Sequence, residues 1–281
     1  MAIITFLNSQ KEETGKTMSI AAIATYMAIE HNYRNIIIST TDKEDRLRRC
    51  FWQDQKKSKF NLGIFGPNTS NILEKESGVR GIAKMIRSNK ITPEMITNYT
   101  KVVFKDRLEV LLGEEKVSDD EDISQNYPEI ITTAGQYYDR VFVDLDFNVE
   151  EDIRNKIIKK SDIIVINLNQ RLSSIEKFRQ TKETNPLLQS SKTLLLIGRY
   201  DKFSKYNAKN ISRYLKEKNQ VLTVPYNTLY FEATDEAGVP DLFLRFKKFI
   251  DPEDRNAIFI EEIKRASENI NYRLQALQAG L

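Results

Sequence analysis

Residues 9 to 18 read Ser-Gln-Lys-Glu-Glu-Thr-Gly-Lys-Thr-Met, and the second half of this run has the residue types that a phosphate-binding loop needs. Gly15 allows close backbone approach to an anion, Lys16 can reach β- and γ-phosphates, and the Thr17 hydroxyl, with Met18 behind it, is placed to ligate Mg²⁺. The pattern G-x-x-x-x-G-K-[ST] asks for glycine at position 10, where this chain has Gln10. The loop has kept its cation and its hydroxyl and has lost glycines. Glu12, Glu13 and Thr14 fill the middle of it. At about 4–6 Å and an effective dielectric near 20, each of the two carboxylates costs a few kcal/mol if it aims at a bound polyanion. Pointed to solvent or to a partner, it costs little.

A second constellation lies far along the chain. Asp144 follows the apolar run Val141-Phe142-Val143, so a carboxylate ends a buried strand. Ligands of open α/β sheets bind at that end. Mg²⁺ wants oxygen ligands; Thr17, phosphate oxygens and water would fill its inner shell, with Asp144 orienting one of the waters. Asp146 reads instead as a cap for a helix starting near Val149.

The elements that would position these groups are legible on either side. Ile3-Ile4-Thr5-Phe6-Leu7 is a short β-prone run, and Met18 to Glu30 is alanine-rich and free of glycine and proline. Strand, loop and helix in that order supply the free N–H groups and dipole of a helix N-terminus to an anion.

With Lys11 five residues before Lys16, the loop resembles the K-G-G-x-G-K-[ST] loop of the deviant Walker A ATPases, the ParA/MinD family. The likeness continues in order over roughly residues 1–250. Asn35 to Asp42 resembles the family's second strand and switch loop, and Tyr138 to Asp144 its Walker B strand. Ser161 to Ile166 and Lys192 to Ile197 resemble the strands after it, and Val224-Pro225-Tyr226-Asn227 the loop near the base. The resemblance implies bound ATP and Mg²⁺. It also implies a homodimer in which Lys11 crosses the interface to the partner's nucleotide, acting catalytically.

The departures from the family are specific. Its second strand ends in Asp-x-Asp, the first carboxylate positioning the attacking water. Placing Asp42 on the second leaves Thr40 on the first, and threonine cannot replace a carboxylate in that role. A shifted register makes Asp42 itself the catalytic carboxylate, and both registers remain open. Through the resemblance Asp42 is also a candidate metal group beside Thr17 and Asp144. Gly198-Arg199 stands where the family often carries an adenine-reading Asn, which puts Arg199, Pro225, Tyr226 and Asn227 on the base side. The stretches 198–207 and 224–233 look most like the TadZ/CpaE branch, which places pilus and secretion machinery. The chain would lack the receiver-like domain common there, because the phosphate loop starts at once.

Composition bounds the rest. The 281 residues carry 43 Lys and Arg against 40 Asp and Glu, so a net charge of +3 creates no global field for nucleic acid. A lone Cys50 excludes an internal disulfide and suits a reducing cytosol. The first residues lack a signal-peptide pattern, and no run approaches the roughly 18 apolar residues of a membrane span. Arg46, Arg48, Arg49, Lys56, Lys57 and Lys59, with Phe51 and Trp52 able to stack, form a basic stretch that Asp45 and Asp54 interrupt. A solvated helix face is the commoner outcome of such a run, so DNA is a possible but not a favoured partner.

The pattern predicts an α/β fold with a mostly parallel twisted sheet and helices on both faces. Strands are expected near 2–8, 35–40, 108–112, 140–145, 162–168, 193–198 and 221–224. Helices are expected over 16–31, 79–88, 149–160, 172–184, 207–218, 240–250 and 254–278. Asn61 to Ser77 and the acidic Asp119 to Asp122 read as loops. Residues 1–250 form one domain in this reading, with 251–281 a helical extension packed on the domain or on a partner. Glu261, Glu262 and Glu268 balance Lys264 and Arg265 there, which favours packing over peripheral membrane contact.

The expectation is a cytoplasmic, ATP-dependent dimerising positioning factor, recruited to a cell pole or the inner membrane face, whose partners belong to a localised machine such as a pilus or secretion apparatus. Its ATP hydrolysis is expected to be weak or lost. The alternative is a partition ATPase that segregates plasmid or chromosomal DNA.

Overall fold

A computed structural model of the chain describes residues 1–11, 13–41, 46–53, 78–88, 90–113, 123–247, 251 and 253–280. Glu12, Asp42, Lys56, Lys57, Lys59 and the two expected loops at 61–77 and 119–122 lie outside the described residues.

Runs dominated by Ile, Val, Leu and Phe become the strands, as expected when a strand is largely buried on both faces. In chain order they are β1 (Ala2–Asn8), β2 (Asn35–Ser39), β3 (Lys101–Phe104), β4 (Leu108–Leu111), β5 (Arg140–Asp144), β6 (Ile163–Leu168), β7 (Thr193–Tyr200) and β8 (Leu222–Pro225). They form one sheet in the order β3-β4-β2-β5-β1-β6-β7-β8. Every neighbouring pair is parallel except β3 with β4. The fold is therefore the mostly parallel α/β sheet that the sequence predicts, with one strand it does not. β3 is an antiparallel edge strand whose short Val102-Val103-Phe104 run is only partly buried.

The helices described are α1 (Lys16–Glu30), α2 (Arg46–Phe51), α3 (Val79–Arg87), α4 (Tyr127–Tyr137), α5 (Glu151–Lys160), α6 (Leu172–Thr184), α7 (Ala208–Leu215), α8 (Thr228–Asp235), α9 (Val239–Phe246) and α10 (Arg255–Gln278). Alternation along the strands divides the core in two. Ile4, Phe6, Ile37, Phe142 and Val165 face α1, α2, α8, α9 and α10. Ile3, Ile36, Val141, Ile164 and Leu195 face α3 to α7. Helices thus cover both faces.

Three helices, α2, α4 and α8, are additional to the sequence expectation. α5 starts at Glu151 rather than at 149, and Asp146 is not its cap. The Asp146 carboxylate instead accepts the Asn148 N–H at 2.7 Å, closing a turn before the helix begins. Phe51 is buried in the core, with its ring edge-on to Trp52, so it is not a free stacking platform. α10 starts on an Asp254 cap and lays Phe259, Ile263, Ile270 and Leu274 into the core against α1 and β8. The Phe259 ring centroid lies 4.9 Å from Tyr230 and 6.1 Å from Phe243. Such aromatic pairs contribute about 0.5–1.5 kcal/mol each beyond their buried area.

Candidate phosphate-binding site

β1 ends at the middle of the sheet, between β5 and β6, and the register pairs Phe6 with Asp144 and Asn8 with Asn167. The loop that leaves β1 therefore emerges beside the end of β5. Its first turn is fixed by Thr14, whose hydroxyl donates to the Asn8 side chain at 2.6 Å. Gly15 then takes φ 78°, a left-handed conformation that glycine adopts without a Cβ penalty, and α1 begins at Lys16. The Ser19 hydroxyl donates back to the Gly15 carbonyl at 3.0 Å, and the buried Tyr230 hydroxyl donates to the Met18 carbonyl at 2.5 Å.

The end of β7 presses on this loop. A Cβ on Gly198 would stand 2.2 Å from the Thr14 carbonyl oxygen, so only glycine permits the contact. Arg199 follows in a left-handed conformation, φ 51°, with its side chain over Gly15.

Three groups then meet. The Lys16 ammonium lies 2.6 Å from Asp144 Oδ1 and donates to the Leu145 carbonyl; the Thr17 hydroxyl donates to Asp144 Oδ2 at 2.8 Å. Lys16 is 8% exposed and the Asp144 side chain 4%. A buried ion pair of this kind contributes little net stability, because desolvation offsets the attraction. Its significance is positional: ammonium, hydroxyl and carboxylate converge at a helix N-terminus, at the carboxyl ends of the central strands.

These groups open into a cleft of about 780 Å³. Lys11, Glu13, Thr14, Gly15, Lys16, Thr17, Met18 and Asp144, all expected from the sequence, line it together with Arg199. Its volume falls in the range of small-molecule and cofactor sites. Lys11 stands exposed at the rim. Glu12 and Asp42 lie outside the described residues. Pro225, Tyr226 and Asn227 gather with Gly15, Met18 and Arg199 around a separate pocket of about 10 Å³. Asn227 there has both polar ends engaged: its oxygen caps α8 by accepting the Tyr230 N–H, and its nitrogen donates to Asn256 at 2.9 Å.

Thr40 does not line the cleft; Ser39 and Thr41 on either side of it do. Its hydroxyl donates to the Asp144 carbonyl at 3.2 Å and accepts the Asp146 N–H at 2.8 Å. Glu13 is turned toward cations. It accepts a hydrogen bond from Arg46 and lies 3.7 Å from Arg199. The Arg46 guanidinium, more than Arg199, holds its carboxyl below the usual carboxylate range.

Sequence reasoning did not find Arg46 as a cleft residue, although it singled out the basic stretch that Arg46 opens. It also missed Phe147, Phe231 and Asp235, which line the outer cleft from the β5–α5 connection and from α8. A start signal for α8 was present in Asn227, a good N-cap residue.

No protein-family model matches the sequence, and no curated protein matches it. Solved structures do. A ParA family ATPase from Chlorobium tepidum superposes with a TM-score of 0.66 at 12% identity, covering 94% of this chain and 97% of its own. The septum site-determining protein MinD of Pyrococcus horikoshii, complexed with Mg-ADP, gives 0.61 at 14% identity over 97% and 98% of the two chains. A plasmid partition protein of Borrelia burgdorferi, bound to AMPPNP, gives 0.61 at 17% over 97% and 99%. At these identities the likeness is one of fold: the chain has the fold of the ParA/MinD P-loop ATPases.

Proposed function

We propose that this chain binds Mg·ATP in the cleft, pairs with a second copy across it through Lys11, and works as a positioning factor with weak or absent hydrolysis. The observation that carries the reading is the convergence of Lys16 and Thr17 on Asp144 at the start of α1. The residues fit the ligand. Gly15 and the first N–H groups of α1 offer a phosphate cradle, and Lys16, paired with Asp144 here, would meet the phosphate chain of a bound nucleotide. Thr17 and Asp144 would hold Mg²⁺, which when bound supplies charge neutralisation to the phosphates.

Weak hydrolysis is supported by Thr40, whose hydroxyl is engaged with the backbone at Asp144 and Asp146 and carries no carboxylate. A protein partner in a localised machine, of the TadZ/CpaE kind, rests on the stretches at 198–207 and 224–233. A related fold from Aquifex aeolicus was solved as a MinC:MinD complex, which keeps a protein partner in view. Among the described residues no helix is long and apolar enough to cross a membrane. We place the chain in the cytoplasm, recruited by its partner.

Equilibrium binding of Mg·ATP tests the reading, with Lys16→Ala as control and folding checked by circular dichroism. Micromolar binding lost in the variant is expected. No binding at millimolar ATP overturns it.

The DNA-partition alternative has one observation in its favour. Lys202, Lys205, Lys209, Arg213, Lys216 and Lys218 are all exposed along the β7–α7 connection, α7 and the turn after it, against Asp201 and Glu217. Salt-sensitive binding of duplex DNA that requires ATP would favour that reading.

A further inference from the structure

Glu13 occupies a place where negative charge opposes the ligand proposed above, yet the fold gives it two cations. Arg46 comes from the start of α2 and Arg199 from the end of β7, and both meet Glu13 on the loop. All three line the cleft that contains Lys16 and Thr17. A Cβ on Gly15 would lie 3.3 Å from Arg199 Cγ, so the aliphatic stem of Arg199 rests on the loop one residue before Lys16.

The contacts are built to exchange. The side chains are 58% exposed for Arg46, 39% for Arg199 and 56% for Glu13, so each can turn without disturbing the core. Arg46 donates to Oε1, while Arg199 faces Oε2 at 3.7 Å, beyond a hydrogen bond. Guanidinium groups bind phosphate oxygens in bidentate fashion at least as well as they bind carboxylates. Strain points the same way: Arg199 is held at φ 51°, a conformation uncommon for a residue with a side chain. Two cations from separate elements converging on one loop carboxylate make an anion site with its counter-ion in place.

We infer that Arg46 and Arg199 are ligands for the terminal phosphate of a bound nucleoside triphosphate, and that Glu13 is the exchangeable counter-ion this phosphate displaces. The inference rests on the nucleotide reading above, adds Arg46 to it, and moves Arg199 from the base side, where the sequence put it, to the terminal phosphate. Lys16 and Thr17 serve any nucleotide that reaches them, whereas the arginines answer to the last phosphate. Glu13 keeps the two cations from collecting other anions.

The test is binding of Mg·ATP and Mg·ADP to the full chain and to Arg46→Gln, Arg199→Gln and Glu13→Gln. Each arginine variant should weaken ATP by about tenfold and ADP by less than about threefold, the loss of one charge-assisted phosphate contact. Glu13→Gln should tighten ATP by about threefold or more and leave ADP nearly unchanged, as removal of a competing carboxylate requires. Equal effects on both nucleotides, no effect of the arginines, or weaker ATP binding in Glu13→Gln overturns the inference. If the wild-type chain binds ATP through Lys16 while the arginine variants match it, this inference alone falls. If neither the wild-type chain nor Glu13→Gln binds nucleotide at millimolar concentration, both it and the nucleotide reading fall.

Discussion

The Thr40 hydroxyl accepts the Asp146 backbone N–H at 2.8 Å, and so ties the end of β2 to the chain just beyond β5. The same hydroxyl donates to the Asp144 carbonyl at 3.2 Å, and the Thr40 N–H reaches that carbonyl at 3.1 Å. The carboxylate of Asp144, which meets Lys16 and Thr17, is therefore carried on a backbone that Thr40 pins.

Thr40→Val removes the hydroxyl at constant shape and leaves the Asp146 N–H without its acceptor. Unmaking buried hydrogen bonds in this way costs about 1–3 kcal/mol. Thr40→Ser should keep most of the stability, and Thr40→Asp should destabilise, because it puts a charge in a site only 5% exposed. Urea midpoints check the series. A Val variant as stable as wild type would mean that the bridge does not hold the strand ends together.

Lys16 and Asp144 form a buried pair, and removing one member leaves the other uncompensated. Lys16→Met should cost about 3–5 kcal/mol, with a substantial part recovered in the double variant Lys16→Met, Asp144→Asn. Thermal unfolding of the two single variants and the double variant completes the cycle. Strictly additive losses would show that the two groups do not interact in solution.

How far the sequence carried this picture depended on the range of each interaction. Ile36-Ile37-Ile38 and Val141-Phe142-Val143 show themselves as buried strands because burial on both faces leaves no polar residue in the run. Seven strands fall within two residues of their expected limits. β3 escapes notice because its apolar run, Val102-Val103-Phe104, is only three residues long between Lys101 and Lys105, and α4 because its Ile, Thr and Gly residues are modest helix formers. Burial of Ile130, Ile131 and Ala134 compensates for that propensity, and burial is a tertiary fact. Pro128 near its start was a local signal in the sequence. In the site, Gly15, Lys16, Thr17 and Asp144 are legible because their chemistry is carried by residue type. Thr40 turning to the Asp146 backbone and Arg46 turning to Glu13 depend on which strand ends and loops become neighbours, and spacing along the chain does not encode that.

Gly198 is where β7 touches the loop between β1 and α1, and any Cβ there would overlap the Thr14 carbonyl oxygen. Gly198→Ala should destabilise by about 1–3 kcal/mol through overpacking and weaken nucleotide binding, because Thr14 and Gly15 must move. Parallel urea and ATP titrations of the variant check both effects. An unchanged affinity would show that the loop relaxes without altering its phosphate cradle.

Tyr230 is fully buried, and burial pushes its hydroxyl well above the ordinary tyrosine range. The folded state thus keeps it neutral where the unfolded chain ionises near pH 10, so its contribution is present below that pH and is lost as pH rises above it. Tyr230→Phe should cost about 1 kcal/mol at neutral pH, the net worth of its hydrogen bond to the Met18 carbonyl. The variant should also lose stability less steeply than wild type above pH 10. Urea midpoints at neutral pH and between pH 9 and 11 provide the comparison, and identical alkaline slopes would contradict the sign.

Lys11 differs from Lys16 in every physical respect that the fold sets. It is exposed at the rim of the cleft, whereas Lys16 is buried beside Asp144. A lysine that served its own chain's phosphates would gain from a shielded position, and an exposed one at the rim suits a ligand shared with a second copy. Lys11→Ala should therefore leave stability within about 0.5 kcal/mol, as exposed substitutions do. It should bind Mg·ATP nearly as the wild type does and lose the ATP-dependent dimer proposed above. Sedimentation with and without Mg·ATP, alongside binding titrations, separates the two roles. Loss of ATP binding equal to that of Lys16→Ala would place Lys11 in its own chain's site, and a dimer that forms unchanged would remove Lys11 from the interface.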